Sequence, residues 1–129
     1  MKIISQKEVD NVLKLSPLQR YKYTVKWIAD GLTIYTLAKQ ATIAIAELEG
    51  RKMISFWSVE VFAQLSIKGA WSDYEVMKIN FEAFESEIIP LIMKEDYLLN
   101  IFSIEDKSGF VVDLDEFITD LNEELSNYQ

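Results

Sequence analysis

A row of acidic residues near the end of the chain is the part of the sequence best suited to electrostatic recognition. Four of them fall at i, i+4, i+7 and i+8 of a predicted helix, opposite its apolar positions, and two more stand at its start. Such a row can steer a cationic protein towards the surface and raise its association rate. The alternative, an ordinary solvated helix face, stays open. The residues are Asp113, Asp115, Glu116, Asp120, Glu123 and Glu124.

Two aromatic residues, Trp71 and Tyr74, form a second candidate for recognition. Most other aromatic residues recur at helical or strand spacing, which places them in the predicted core. Trp71 and Tyr74 lie in a segment without such a period. Exposed Trp and Tyr are frequent binding anchors, although a loop aromatic that covers the core is an equally ordinary interpretation.

Other chemistry is restricted by what the composition lacks. The chain has no Cys and no His, which removes thiolate nucleophiles, disulfides, the Ser-His-acid arrangement and most zinc or haem ligation. Its four Gly residues are isolated, so there is no phosphate loop or dinucleotide motif. Asp106, Asp113, Asp115 and Glu116 are close in sequence but lack the calcium-loop pattern. We therefore expect no cofactor, no metal site and no catalytic residues.

The charge of the chain is divided unevenly. The net charge of the 129 residues is −8, but residues 1–52 carry nine bases and five acids, whereas residues 53–129 carry four bases and sixteen acids. This surplus argues against a nucleic-acid partner, because phosphate binding depends on Lys and Arg. No apolar run approaches the ~20 residues of a membrane span. No signal peptide is recognised either, so we expect a cytoplasmic protein without a membrane partner.

The elements that position these residues follow from local signals. Ser5 with Glu8, Ser16 with Gln19, and Asp113 with Glu116 have the spacing of capping boxes that open helices. Gly31 is predicted to end the second helix, and Ser58 to begin a helix over residues 59–68. Residues 71–78 are predicted to be an irregular connection. Pro90 is expected to kink or end the helix that Asn80 begins.

Period-two segments supply the strands. Residues 32–38, 42–48 and 53–57 predict an antiparallel meander, and residues 98–104 and 110–112 predict two more strands across a turn at residues 105–109. The sequence thus predicts one α+β domain over residues 1–129. It has an about five-stranded, mainly antiparallel sheet with helices packed on it, in the order ααβββααββα.

A set of residues spread over nearly the whole chain resembles a known bacterial family. The set consists of Leu15-Ser16-Pro17, Arg20-Tyr21, Tyr23, Val25, Ile28-Ala29-Asp30, Tyr35, Trp57, Ala63, Gly69-Ala70-Trp71, Tyr74, Phe84, Pro90-Leu91, Leu98, Ile101-Phe102, Leu121 and Glu124-Leu125. In this order it is similar to the family called domain of unknown function 2750. The family usually has Pro after the position of Trp57, where this chain has Ser58.

The resemblance implies a small cytoplasmic bacterial protein and supplies no catalytic residues. If the family shares a ligand, the matching positions of this chain are Arg20, Tyr21, Trp57, Trp71 and Tyr74. The other interpretation for each of them is packing or a structural hydrogen bond.

Two hypotheses of function follow. The leading one is a non-enzymatic interaction domain, such as an immunity or antitoxin-type inhibitor whose acidic residues bind a basic toxin. The alternative is a small-molecule-binding or enzymatic domain with a pocket around Arg20 and the aromatic residues. The sequence does not indicate the oligomeric state or the identity of a partner.

Overall fold

The computed structural model describes residues 4–104 and 109–128 and has the α+β class that the sequence predicted. No helix in this described part is both long and apolar enough to cross a membrane. A π-helical turn at Phe84–Ile88 joins α4 to α5, and 3₁₀ turns cover Gly69–Trp71 and Ser126–Tyr128. The described helices are α1 (Gln6–Leu13), α2 (Pro17–Gly31), α3 (Glu60–Gln64), α4 (Phe81–Ala83), α5 (Ile89–Glu95) and α6 (Leu114–Leu125).

The described strands form two sheets, of three and four strands, rather than one of about five. The sheets have the orders β2-β1-β5 and β3-β4-β6-β7, and every pairing is antiparallel except that of β4 with β6. The mainly antiparallel character predicted from the sequence is confirmed. The strands are β1 (Thr33–Lys39), β2 (Thr42–Ile43), β3 (Ile45–Leu48), β4 (Arg51–Phe56), β5 (Glu75–Asn80), β6 (Leu98–Ile101) and β7 (Phe110–Val112).

One extra strand arises because the predicted strand at residues 42–48 is divided at Ala44. Its first part, β2, pairs with β1 across residues 40–41, and its second part, β3, pairs with β4 across residues 49–50. All four turn residues have a positive φ, as two-residue type I′ hairpin turns require. The two halves therefore belong to different sheets.

The other extra strand, β5, corrects the prediction of an irregular connection over residues 71–78. β5 pairs with β1 over six residue pairs, from Thr33 with Asn80 to Ala38 with Glu75. Its sequence alternates only weakly, and Ile79 is its one buried residue. Pairing with a distant strand, rather than local propensity, determines this conformation.

The core lies between the sheets and the helices. An isolated bridge joins the sheets, in which Tyr35 and Trp57 exchange backbone hydrogen bonds of 2.8 and 2.9 Å. The largest side chains with less than 2% exposure are aromatic, and the phenylalanines among them pack as tilted or edge-on ring pairs. They are Phe56, Trp57, Phe62, Phe84, Phe102 and Phe117.

Helix α2, which carries much of the candidate site, begins as predicted. The Ser16 hydroxyl accepts from the Gln19 amide, the Gln19 side chain accepts from the Ser16 amide, and Pro17 occupies the first turn. Gly31 belongs to the helix, and the left-handed residue at its end is Leu32, with φ +53°. The predicted stop is thus displaced by one residue.

Another prediction about a helix end is corrected. Ser58 does not cap α3, because Val59 occupies the cap position without a side-chain hydrogen bond, and α3 ends early, at Gln64. Pro90 lies in the first turn of α5, directly after the π turn that interrupts the α-helical pattern. The preceding π turn, in which the Ile89 amide donates to the Phe84 carbonyl, widens the helix where proline cannot donate.

Candidate functional site

Helix α6 begins at the cap that the sequence predicted. The Asp113 carboxylate accepts from the Glu116 amide at 2.8 Å and so caps the helix. Phe117 and Leu121 anchor the opposite side of α6 in the core, with exposures of 0% and 1%. Glu116 and Glu123 are consequently exposed, whereas Asp120 and Glu124 are half-buried against the body of the protein.

A groove with a volume of about 680 Å³ runs between α2 and α6. One wall carries four of the six predicted acidic residues, Glu116, Asp120, Glu123 and Glu124. The floor and the other wall come mainly from α2 and β7. They consist of Leu18, Tyr21, Lys22, Val25, Lys26 and Phe110. The groove therefore combines an anionic wall with an apolar floor.

The apolar floor is partly open to solvent. Leu18 is 43% exposed, which is a large fraction for a leucine on a helix that packs on the core. Val25 and Tyr21 lie deeper, at 5% and 4% exposure, and the Tyr21 ring tilts against Phe110 with ring centroids 5.0 Å apart. A side chain lying on this floor would cover Leu18 and remove further apolar area from water.

A hydrogen bond ties the floor to the acidic wall. The Tyr21 hydroxyl donates to Asp120 Oδ2 at 2.6 Å. Burial raises the pKa of this phenol well above its usual value near 10, and the hydrogen bond to Asp120 and the nearby carboxylate charges act in the same direction. Tyr21 is thus a neutral donor across the physiological range, and Asp120 is held in place by it.

Within the part of the chain that the structure describes, the acidic wall is not neutralised by direct ion pairs. Among the described residues, no Lys or Arg lies within ion-pair distance of any of the six predicted carboxylates. Lys22 and Lys26 face them across the groove and are exposed. Opposite charges thus border the two sides of the groove, with the larger charge on the α6 side.

The two remaining acidic residues lie outside the groove. Asp113 is at the helix cap, and Asp115 faces a second depression of about 430 Å³ between α6 and α5, which Met93 and Ile118 also line. Across residues 4–104 and 109–128, no three acidic side chains converge into a group that could hold a metal ion. The six predicted residues therefore form one cluster of four and two separate positions.

Arg20, which the resemblance singled out, is buried at 5% exposure. Its Nη1 donates to the Leu15 carbonyl at 2.6 Å and its Nε to the Phe102 carbonyl at 3.4 Å. The guanidinium lies 5.6 Å from the centre of the Phe102 ring, a cation–π distance. Burial lowers the pKa of this group from its usual value. Arg20 thus joins the loop before α2 to the segment after β6.

Trp57 donates a hydrogen bond to the next carbonyl of the segment after β6. It has no exposed surface, and its indole Nε1 donates to the Ser103 carbonyl at 2.9 Å. The Ser66 hydroxyl reaches the same oxygen at 3.4 Å. The consecutive carbonyls of Phe102 and Ser103 after β6 are therefore paired with buried side-chain donors.

The five pocket residues expected from the resemblance are not gathered into one cavity. Tyr21 lines the groove, whereas Arg20 and Trp57 are buried in structural contacts. Trp71 ends a 3₁₀ turn and, like Tyr74, is half-buried against the edge of the core. The interpretation as packing or structural hydrogen bonds describes what Arg20 and Trp57 do in the fold.

Sequence reasoning missed a smaller cavity of about 220 Å³ beside the strand pair β1 and β5. Its walls come from α2, β1, β5 and the segment between β4 and α3. No motif announces it, because its residues are far apart in the sequence. The lining residues are Trp27, Gly31, Thr33, Tyr35, Ser58, Val59 and Lys78.

Comparison with known families gives one match. The profile of a protein family of unknown function, DUF2750, matches residues 21–121 of the chain. The chain belongs to the DUF2750 family. This confirms the resemblance seen in the sequence. No curated protein matches the chain, and no solved structure matches it either.

The residues that match DUF2750 include four of the five pocket residues expected from the resemblance and most of the groove between α2 and α6. It includes Tyr21, Trp57, Trp71 and Tyr74 and ends at Leu121, within α6. Arg20 lies one residue before the matched region, and the last two acidic residues of the groove, Glu123 and Glu124, lie beyond it. Of the four carboxylates in the anionic wall, Glu116 and Asp120 therefore lie inside the matched region.

Proposed function

We propose that this DUF2750 protein is a non-enzymatic interaction domain whose groove between α2 and α6 binds a basic segment of another protein. The observation that carries the proposal is the anionic wall of α6, whose four carboxylates have no ion-pair partner among the described residues and stand over an exposed apolar floor. In keeping with the net charge of −8, we propose a basic partner, such as a toxin that this domain inhibits.

The groove favours a partner segment that carries both charge and apolar surface. Lys and Arg stems can lie along Leu18 while their charged ends reach Glu116 or Glu123. Carboxylates at the rim contribute mainly to the rate of association, and salt weakens their contribution. Lys22 and Lys26 on the opposite wall repel a uniformly basic surface, so the partner's cations are expected along one edge of the segment.

The proposal can be tested with a synthetic amphipathic helical peptide of Lys and Leu, and with a second peptide in which Gln replaces every Lys. Binding is followed by titration of the ¹⁵N-labelled protein, with amide shifts at Leu18, Val25 and Glu123 as the readout. We expect the Lys peptide to bind in the groove and the Gln peptide to bind at least about tenfold more weakly. Raising the salt concentration is expected to reduce this difference.

A pair of matched variants separates the groove from net charge. Glu116→Lys with Glu123→Lys reverses two exposed groove carboxylates and leaves the Tyr21–Asp120 hydrogen bond intact. Glu82→Lys with Glu87→Lys makes the same change of charge at exposed positions outside the groove. The proposal requires the first pair to weaken binding about tenfold more than the second. Equal losses, or shifts outside the groove, contradict it.

A further inference from the structure

The small cavity beside β1 and β5 is lined by apolar and by polar side chains. Trp27 and Val59 supply apolar surface. Ser58 also lines the cavity, but its Oγ has almost no accessible surface and no hydrogen-bond partner among the described residues, so this hydroxyl is closed to a ligand.

Two more polar side chains reach the cavity from neighbouring strands. Tyr35 on β1 and Lys78 on β5 are directly opposite each other in the antiparallel register, which puts both side chains on the same face of the sheet. Neither side chain makes a hydrogen bond or ion pair with another described residue. Lys78 is exposed, and among the described residues it is the one charged residue that lines the cavity.

The Tyr35 hydroxyl remains protonated at neutral pH. Burial raises its pKa, and the charge of Glu60 at the start of α3 raises it further. Glu60 is exposed and does not line the cavity. Tyr35 therefore offers an O–H donor, and Lys78 adds N–H donors and a positive charge.

We propose that this cavity binds a small organic carboxylate, with its anionic group at Lys78 and the hydroxyl of Tyr35 and its apolar body against Trp27 and Val59. A carboxylate is an acceptor on both oxygens, which complements a set of donors with one positive charge. The volume of about 220 Å³ equals the liquid volume of about seven water molecules, so the ligand is a compact acid. The site is separate from the groove between α2 and α6.

Benzoate is a suitable probe because it joins a carboxylate to a compact apolar ring, and benzamide is its uncharged analogue. Acetate and pyruvate extend the test to smaller acids. Amide and indole shifts of the ¹⁵N-labelled full chain report binding, with the Trp27 indole and the amides of Ser58 and Lys78 as site markers. At least one of the three acids, benzoate, acetate or pyruvate, is expected to bind at these markers. Benzoate is expected to bind about tenfold or more tightly than benzamide. If none of the acids shifts these markers, the proposal is overturned.

Three variants examine the assigned roles. Lys78→Gln is expected to weaken acid binding about tenfold, whereas Lys52→Gln, an exposed lysine on β4 away from the cavity, leaves it unchanged. Ser58→Ala removes a hydroxyl that is unpaired and closed to the cavity, so it is expected to raise the melting temperature of the ligand-free protein and to leave the affinity for the acid within about twofold. Equal effects of Lys78→Gln and Lys52→Gln overturn the proposal.

The groove variants keep this test independent of the proposed function. Glu116→Lys with Glu123→Lys changes residues that do not line the cavity, so it is expected to leave the affinity for benzoate within about twofold. Loss of acid binding in that double variant would place the acid in the groove and contradict the cavity site.

Discussion

The segment after β6 and the segment along β4, which is the neighbouring strand of the same sheet, differ in how their buried polar groups are paired. After β6, the carbonyls of Phe102 and Ser103 receive hydrogen bonds from Arg20 and Trp57. On β4 and just beyond it, the hydroxyls of Ser55 and Ser58 have no partner among the described residues, although both residues are buried. The buried carbonyls after β6 are thus paired with donors, whereas these two hydroxyls are unpaired.

This difference separates residues that stabilise the fold through hydrogen bonds from residues whose buried hydroxyls weaken it. A buried polar group that is left unpaired costs about 1–3 kcal/mol, whereas a paired one contributes about 1 kcal/mol. The donors of Arg20 and Trp57, the conspicuous polar and aromatic residues of the resemblance, are thus used by the fold itself. The hydroxyls of Ser55 and Ser58 have almost no accessible surface, so solvent does not offset the cost of burying them.

The largest effect is expected at Arg20. Arg20→Met removes the donors to Leu15 and Phe102 but also relieves the cost of burying a charge, so we expect a net loss of about 3 kcal/mol in the free energy of unfolding. Urea denaturation measures it. Arg20→Lys keeps the charge without the planar fork and is expected to recover less than half of the loss. If Arg20→Met left the free energy of unfolding unchanged, the cost of burying the charge would offset the contribution of the hydrogen bonds.

A smaller effect is expected at Trp57. Trp57→Phe keeps an aromatic ring but loses the Nε1 hydrogen bond to the Ser103 carbonyl and leaves a small void, which together cost about 2 kcal/mol. Ser66→Ala removes the longer, 3.4 Å hydrogen bond to the same oxygen and serves as the control. The two losses in urea denaturation should differ clearly. If they are equal, the indole contributes through volume alone.

The starts of the helices could be predicted because the signals that determine them are close together in the sequence. Ser16 with Pro17 and Asp113 with Glu116 determine where α2 and α6 begin, because the capping partners are three residues apart or fewer. β5 was missed because its pairing partner β1 lies about forty residues earlier in the chain. Ser58 was misassigned as a cap because its type fits, whereas the backbone places Val59 there.

The candidate sites show the same limit. The acidic row on α6 was predictable from helical periodicity alone, and the structure keeps four of its members together. The apolar floor from α2 and the cavity at Ser58 depend on which elements become neighbours, so no spacing in the sequence reveals them. Arg20 looked like a ligand-binding residue because sequence alone does not show that two backbone carbonyls would take up its donors.

Tyr21 extends the comparison to a hydroxyl whose partner is charged. Because its pKa is raised in the folded protein, its contribution to stability is full below the unfolded pKa near 10 and declines as the pH rises above it. Wild-type protein is therefore expected to lose stability between about pH 10 and 12 more steeply than Tyr21→Phe. At pH 7 the variant is expected to lose about 1 kcal/mol, since Asp120 is only half-buried. Parallel pH profiles would show that the phenol does not titrate with unfolding.

The smallest effect is expected at Ser55, where β4 carries a paired and an unpaired group on the same residue. The Ser55 carbonyl accepts from the Thr36 hydroxyl at 2.7 Å, whereas the Ser55 hydroxyl has no partner among the described residues. Thr36→Val is therefore expected to cost about 1 kcal/mol, and Ser55→Ala to change stability by less than about 0.5 kcal/mol or to increase it. Urea denaturation of the two variants compares the groups directly. A loss at Ser55 as large as that at Thr36 would mean that its hydroxyl is paired in solution, and the contrast between the β4 segment and the segment after β6 would then rest on Ser58 alone.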